Sequence, residues 1–193
     1  FGLIGWVFSR SIVFLKARYA QWIPHPVWRN TIGGAVVVAA ALILQTQRYL
    51  GLSLPLLQES FNGQAHVYDF IGKLFFTVLS LGAGYQGGEV TPLFEIGATL
   101  GAALAPLLHV SVPFLAGLGF IGVFSGATNT PIACFVMGIE LFGSQAAVYF
   151  FMICLISFMC SGNSGIYSAQ QVAVKKGILF LPIVKRMKEK NKV

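Results

Sequence analysis

Long apolar runs alternate with short polar breaks along almost the whole chain, and the breaks are rich in glycine and proline. Residues 2–17 form the first run, interrupted only by Arg10 and other scattered polar positions. Tyr19, Trp22 and Trp28 then cluster around Pro24-His25-Pro26. Aromatics beside a proline-broken turn are the pattern of an interfacial connection between membrane helices, with His25 part of the turn. Thr31 to Gln47 reads as a spanning helix, since Gly33 to Leu44 contains no polar side chain, and Arg48 closes it. Residues 50–66 are mixed, with Pro55, Glu59, Asn62 and His66, and predict a loop with a short helix.

The following segments are shorter. Tyr68 to Leu81 is apolar apart from a few polar residues, Asp69 and Lys73 among them near its start. As a helix it would reach only about 21 Å, against a hydrocarbon core of roughly 30 Å, so it is expected to stop within the membrane at Gly82. A second helix is predicted from Pro92 to about Leu108, and another from Val112 to Phe124, broken by Ser125-Gly126-Ala127-Thr128-Asn129-Thr130-Pro131. Ile132 to Phe142 and Gln145 to Cys160 complete the series, followed by the flexible stretch 161–165 and by Ile166-Tyr167-Ser168. Gly97-xxx-Gly101 and Gly122-xxx-Gly126 favour close helix approach. The expectation is an all-α, polytopic membrane protein with interrupted helices.

Composition agrees: of 193 residues, 56% are hydrophobic and 10% charged, where soluble domains carry about 25% charged residues. The net charge of +7 is concentrated at the two ends. Lys185, Arg186, Lys188, Lys190 and Lys192 make residues 185–193 a basic tail, expected on the cytoplasmic side of the membrane segments 1–184. Tail and apolar body explain each other, so no nucleic-acid partner is expected. Cys134, Cys154 and Cys160 lie in apolar runs without metal-ligand spacing and are read as small buried hydrophobes. Phe1 begins inside an apolar segment with no signal-peptide features before it, and the expectation is that the chain is part of a longer protein.

The stretch Gly82-Ala83-Gly84-Tyr85-Gln86-Gly87-Gly88-Glu89-Val90-Thr91-Pro92 sits between two of the apolar segments. Pro92 suits the first helical position and Thr91 the N-cap. The glycines let successive N–H groups turn toward one point, where the helix dipole adds positive potential, giving an anion site built from backbone. The same residues match G-x-G-x-x-G, but no acid follows about twenty residues on to bind a ribose, so a dinucleotide site is rejected. A purely structural reading makes Glu89 a favourable acid near a helix start. Intramembrane acids are costly, however, and more often mark function.

Gly87-Gly88-Glu89-Val90-Thr91-Pro92-Leu93-Phe94, followed by Ile96-Gly97-Ala98-Thr99-Leu100-Gly101, resembles the G-G-x-F-x-P segment of the CLC chloride channels and exchangers. Gly117 to Gly126, Thr130-Pro131-Ile132 and Ile139-Glu140-Leu141 resemble that family's next helix pair, and Ile166-Tyr167-Ser168 its tyrosine segment. The similarity covers residues 70–170 in order and spacing. Chloride-type members carry apolar residues where this chain has Glu89 and Thr91, and Phe where it has Val90, whereas G-G-E-V-T-P resembles the fluoride/proton antiporter branch.

The resemblance implies one half, the second, of a CLC-type inverted repeat. It implies an anion site at Gly88, Glu89, Val90, Thr91 and Tyr167, with Glu89 helping to couple anion to proton binding or to exclude unwanted anions when ionised. Fluoride and protons would be the substrates, with no cofactor or metal, and the protein would be a transporter and not an enzyme. It would be a homodimer in the cell membrane (a bacterial inner membrane), with residues 112–160 part of the dimer surface. The gating glutamate and first anion loop would belong to a missing N-terminal half. A chloride channel or exchanger is the alternative, and a non-transporting membrane fragment a third reading. Outside the motif, Glu95 and Glu140 are read as paired or interfacial, Lys73 as snorkelling from a helix end, and His66 and His109 as interfacial.

Overall fold

A computed structural model of the chain describes residues 1–162, 165–167 and 170. Its helices are α1 (Gly2–Trp22), α2 (Pro26–Ile43), α3 (Leu54–Asn62), α4 (Asp69–Gly82), α5 (Val90–Leu108), α6 (Val112–Thr128), α7 (Pro131–Phe142) and α8 (Ala147–Cys160), with a 3-10 turn at Ser144–Ala146. No strand occurs among the described residues. The basic tail 185–193, Lys175, Lys176 and Ser168 lie outside them.

The helix boundaries follow local chemistry. α2 starts five residues earlier than the apolar run, because Pro26 occupies a first-turn position where its missing N–H costs nothing. It ends at Ile43, and Gln45 then takes a positive φ of 48°. α6 continues through Ser125 and Thr128, residues expected to break it. The Ser125 hydroxyl donates to the Cys154 carbonyl of α8 (3.0 Å) and Thr128 donates back to Phe124 (2.8 Å), so neither polar group is stranded. The helix stops only at Asn129, in the left-handed region at φ 61°.

α5 and α6 form the centre. They run antiparallel with their backbones in contact: a Cβ at Gly97 would stand 2.7 Å from the carbonyl carbon of Gly119, and one at Gly101 equally close to that of Leu115. Gly122 and Gly126 admit α8 and the start of α1 instead. Leu93, Ile96 and Ala98 of α5 and Ala116, Ile121 and Val123 of α6 are all buried. α1 and α4 cover one side of this pair and α8 another, while α3 packs on both helices. α2 touches mainly α4 and buries only Gly33, leaving Val36, Val38, Leu42 and Ile43 exposed. Among the described residues, α2 and α5 are long and apolar enough to cross a membrane.

A charged cluster ties α3, α4 and α5 to the loop after α2. Asp69 is fully buried and accepts from Arg48 (2.9 Å), from the Tyr49 hydroxyl (2.8 Å) and from the His66 N–H (2.7 Å). Arg48 also pairs with Glu59 of α3. Burial, and then the bond to Asp69, push the Tyr49 phenol well above its ordinary range, so it remains a donor. One turn along α4, Lys73 is 1% exposed and meets Glu95 of α5, which is 0% exposed, at 2.8 Å. Lys73 therefore does not snorkel. The 49–53 loop folds over the start of α4 and supplies oxygens to its ammonium from Gly51 (2.8 Å), Ser53 (2.9 Å) and Tyr49 (3.3 Å). Glu95 is paired, as its sequence reading allowed, and Glu140 is exposed near the end of α7.

Candidate functional site

α4 ends at Gly82, and the chain turns through residues 83–89 before α5 begins. Gly84 makes the turn, with φ 101°, a conformation that side chains rarely adopt. A Cβ there would also press on Asn30 Oδ1 at 3.0 Å and Arg29 Nε at 3.1 Å, so the loop lies directly against the start of α2. Tyr85 fastens it, donating its hydroxyl to the Asn30 carbonyl at 2.9 Å. Gly87 and Gly88, in contrast, are exposed, and nothing among the described residues crowds a Cβ at Gly88.

α5 starts two residues before the expected position. Glu89 takes the N-cap place with φ −88° and ψ −16°, and no side chain caps the helix. Thr91 is therefore inside the first turn and not the N-cap, and Pro92 is the third helical residue. The shift is tolerated because the first N–H groups of a helix have no intrahelical acceptor, so proline loses nothing at any of these positions. Glu89, Val90 and Thr91 are left with N–H groups directed away from the helix, at the positive end of its dipole. The Thr91 hydroxyl makes no hydrogen bond to any described residue, so it too can donate to a ligand.

The loop borders an open cleft of ≈ 600 Å³, lined by Lys16 and Ala20 of α1, Arg29 of α2, Leu81 and Gly82 of α4, and Gly84, Tyr85, Gln86, Gly87 and Glu89. Lys16 Nζ lies 3.7 Å from Glu89 Oε1, with the lysine half exposed and the glutamate mostly covered. Lys16 and Arg29 are the residues that sequence reasoning missed. Their positive charge in the flanks was visible, but nothing in the spacing tied α1 and the start of α2 to the glycine loop.

Gly88, Glu89, Val90 and Thr91 are thus brought together at one helix start. Tyr167 reaches the same end of the α5–α6 pair by another route. The contacts of Gly97 with Gly119 and of Gly101 with Leu115 set an antiparallel register in which Ala127 stands level with Glu89. The Ile166 N–H donates to the Ala127 carbonyl at 3.0 Å, and the Ile166 side chain packs on the cluster holding Leu93, Val123 and Ala127. Tyr167 follows, 47% exposed. No hydrogen bond or ring contact joins it to residues 88–91 among the described residues.

Comparison with known proteins gives a consistent picture. Residues 1–162 match the sequence profile of the family described as voltage gated chloride channel. The chain is 44% identical over 182 residues to the chloride/fluoride channel protein of Pseudomonas syringae pv. tomato, covering 91% of this chain and 40% of that protein. It is 25% identical over 154 residues to the H(+)/Cl(-) exchange transporter ClcA of Vibrio campbellii, covering 73% of this chain and 33% of the transporter. A solved structure, the crystal structure of a CLC-type fluoride/proton antiporter, superposes with a TM-score of 0.85 at 37% identity over 88% of this chain and 43% of the other. The chain spans less than half the length of each of these relatives.

Proposed function

Since this chain belongs to the voltage-gated chloride channel family, the CLC membrane transporters, we propose that it is the C-terminal half of a fluoride/proton antiporter. Fluoride is held at the start of α5, by the N–H groups of Glu89 and Val90 beside Gly88 and by the Thr91 hydroxyl. The observation that carries this reading is that an acid, Glu89, and a hydroxyl without a partner among the described residues, Thr91, stand two residues apart at one partly exposed helix start. Fluoride is small and a strong hydrogen-bond acceptor, so an O–H aimed at it is worth more than to a larger halide. Tyr167 donates its phenolic O–H from the α6 side of the site.

Glu89 can carry a proton, and beside a bound anion its charge state is linked to occupancy of the site. The positive cleft of Lys16 and Arg29 raises the local anion concentration. The other half of the pathway comes from an N-terminal half, two copies associate as a homodimer through a surface that includes residues 112–160, and the C-terminus faces the cytoplasm. The likeness to the ClcA exchanger keeps chloride transport as the second reading.

Efflux from liposomes holding the full-length protein tests the proposal. Fluoride efflux with matching proton uptake and little chloride movement is the expected result. Comparable chloride flux establishes the second reading, and Glu89→Gln with unchanged fluoride/proton coupling removes Glu89 from the coupling role.

A further inference from the structure

Lys73 and Glu95 lie away from the glycine loop, yet they bring opposite charges together with almost no exposure to solvent. The two partners are solvated very differently. The three protons of the Lys73 ammonium have three neutral acceptors, the Tyr49 and Gly51 carbonyls and the Ser53 hydroxyl. Glu95 Oε2 meets Lys73 at 2.8 Å, and apart from that ion pair neither Glu95 oxygen has a hydrogen-bond partner among the described residues. The carboxylate is the member of the pair with unused lone pairs.

The charges around it are also unbalanced. α4 presents Lys73 and, one turn earlier, Asp69; α3 presents Glu59; the loop after α2 presents Arg48 and the Tyr49 phenol. α6, the helix packed most closely on α5, has no titratable side chain in Val112–Thr128. Counted over the whole network, two cations accompany three carboxylates, one negative charge in excess, with Lys73 the charge that meets Glu95 directly. The outer members, Arg48 and Glu59, are each about one third exposed.

We propose that Glu95, held beside Lys73, is an intramembrane proton-binding site of the transport cycle. The proposal rests on the antiport reading above and adds a second acid to it. A proton taken up from water bonds to a Glu95 oxygen. Lys73 keeps its three protons, and the cluster goes from one excess negative charge to neutral; release reverses the step. Glu95 is six residues from Glu89 on the same helix, about 9 Å of axial rise. That is too far for a hydrogen bond but near enough for each charge to act on the other in a medium of low dielectric.

The test uses the full-length protein with Glu95→Gln and the double variant Lys73→Met/Glu95→Gln, which removes both buried charges together. Infrared titration of the wild type is expected to show a carboxyl band that grows as pH falls and is missing from both variants. In liposomes, proton uptake per fluoride is expected to fall by about a hundredfold, the lower end of what a positioned proton-transfer group contributes, while fluoride efflux continues. A purely structural pair would leave the ratio and its pH profile unchanged in any variant that folds. Wild-type coupling in either variant, or an infrared titration identical to wild type, overturns the proposal. Fluoride efflux without protons in the wild type defeats the antiport reading instead, and the infrared band still decides whether Glu95 takes up a proton.

Discussion

Lys16 of α1 meets Glu89 at the start of α5 across 3.7 Å, and this ion pair closes one side of the cleft beside the glycine loop. An anion entering the cleft competes with Glu89 for the same ammonium. Because the lysine is half exposed, the pair contributes at most about 1 kcal/mol to folding. Lys16→Gln should therefore leave thermal unfolding nearly unchanged. It should also weaken the dependence of fluoride flux on ionic strength, which flux assays at low and high salt would show.

Thr91 has a hydroxyl without a partner among the described residues, so Thr91→Val should fold as well as the wild type. Hydrogen bonds to charged groups are worth about 1.5–3 kcal/mol, so its fluoride flux should fall by roughly tenfold or more. Chloride flux, if any, should change less. Equal losses for both ions would show that Thr91 shapes the turn without contacting the anion.

Gly97 leaves no room for a side chain. Its missing Cβ would overlap the Gly119 backbone, which cannot swing aside as a side chain end can. Gly97→Ala should destabilise the protein by about 1–3 kcal/mol, the usual cost of overpacking. A lower unfolding temperature in detergent, with a loss of monodisperse protein, is the expected readout.

Lys73→Met alone should be worse than Lys73→Met with Glu95→Gln. The single change strands a buried carboxylate, at a cost of about 3–5 kcal/mol, and the double change removes the stranded charge. Unfolding of both variants measures the difference. A double variant as unstable as the single one would show that the Lys73 stem and its loop contacts matter more than the charge pair.

The helix series was legible because each apolar run is bounded by proline, glycine or charge, and α4 stops at Gly82 as its length required. The helix ends were less legible. Proline at Pro92 marks the first turn of α5 but cannot say which residue of that turn it is, since several N–H groups there are unpaired. The polar 125–131 stretch resembled a break because sequence does not reveal that Ser125 has a carbonyl of α8 to bond. Lys73 and Glu95 are 22 residues apart on different helices, and spacing reports which face a residue occupies, not what meets it. The proposed anion-site residues at the start of α5 were readable as one contiguous motif. Tyr167 came from a separate segment, and its place depends on the Ile166 bond to Ala127.

The reciprocal fit of Gly97 and Gly119 also bears on how such a protein moves. Where two helices meet through layers of side chains, one can slide as the side chains change rotamer. α5 and α6 meet backbone to backbone at two levels, at Gly97–Gly119 and Gly101–Leu115, where no side chain separates them. They behave mechanically as a single beam, and the turn that carries Glu89 and Thr91 is mounted on its end. Access to that turn is then expected to change by the swing of individual side chains or by movement of whatever faces the pair.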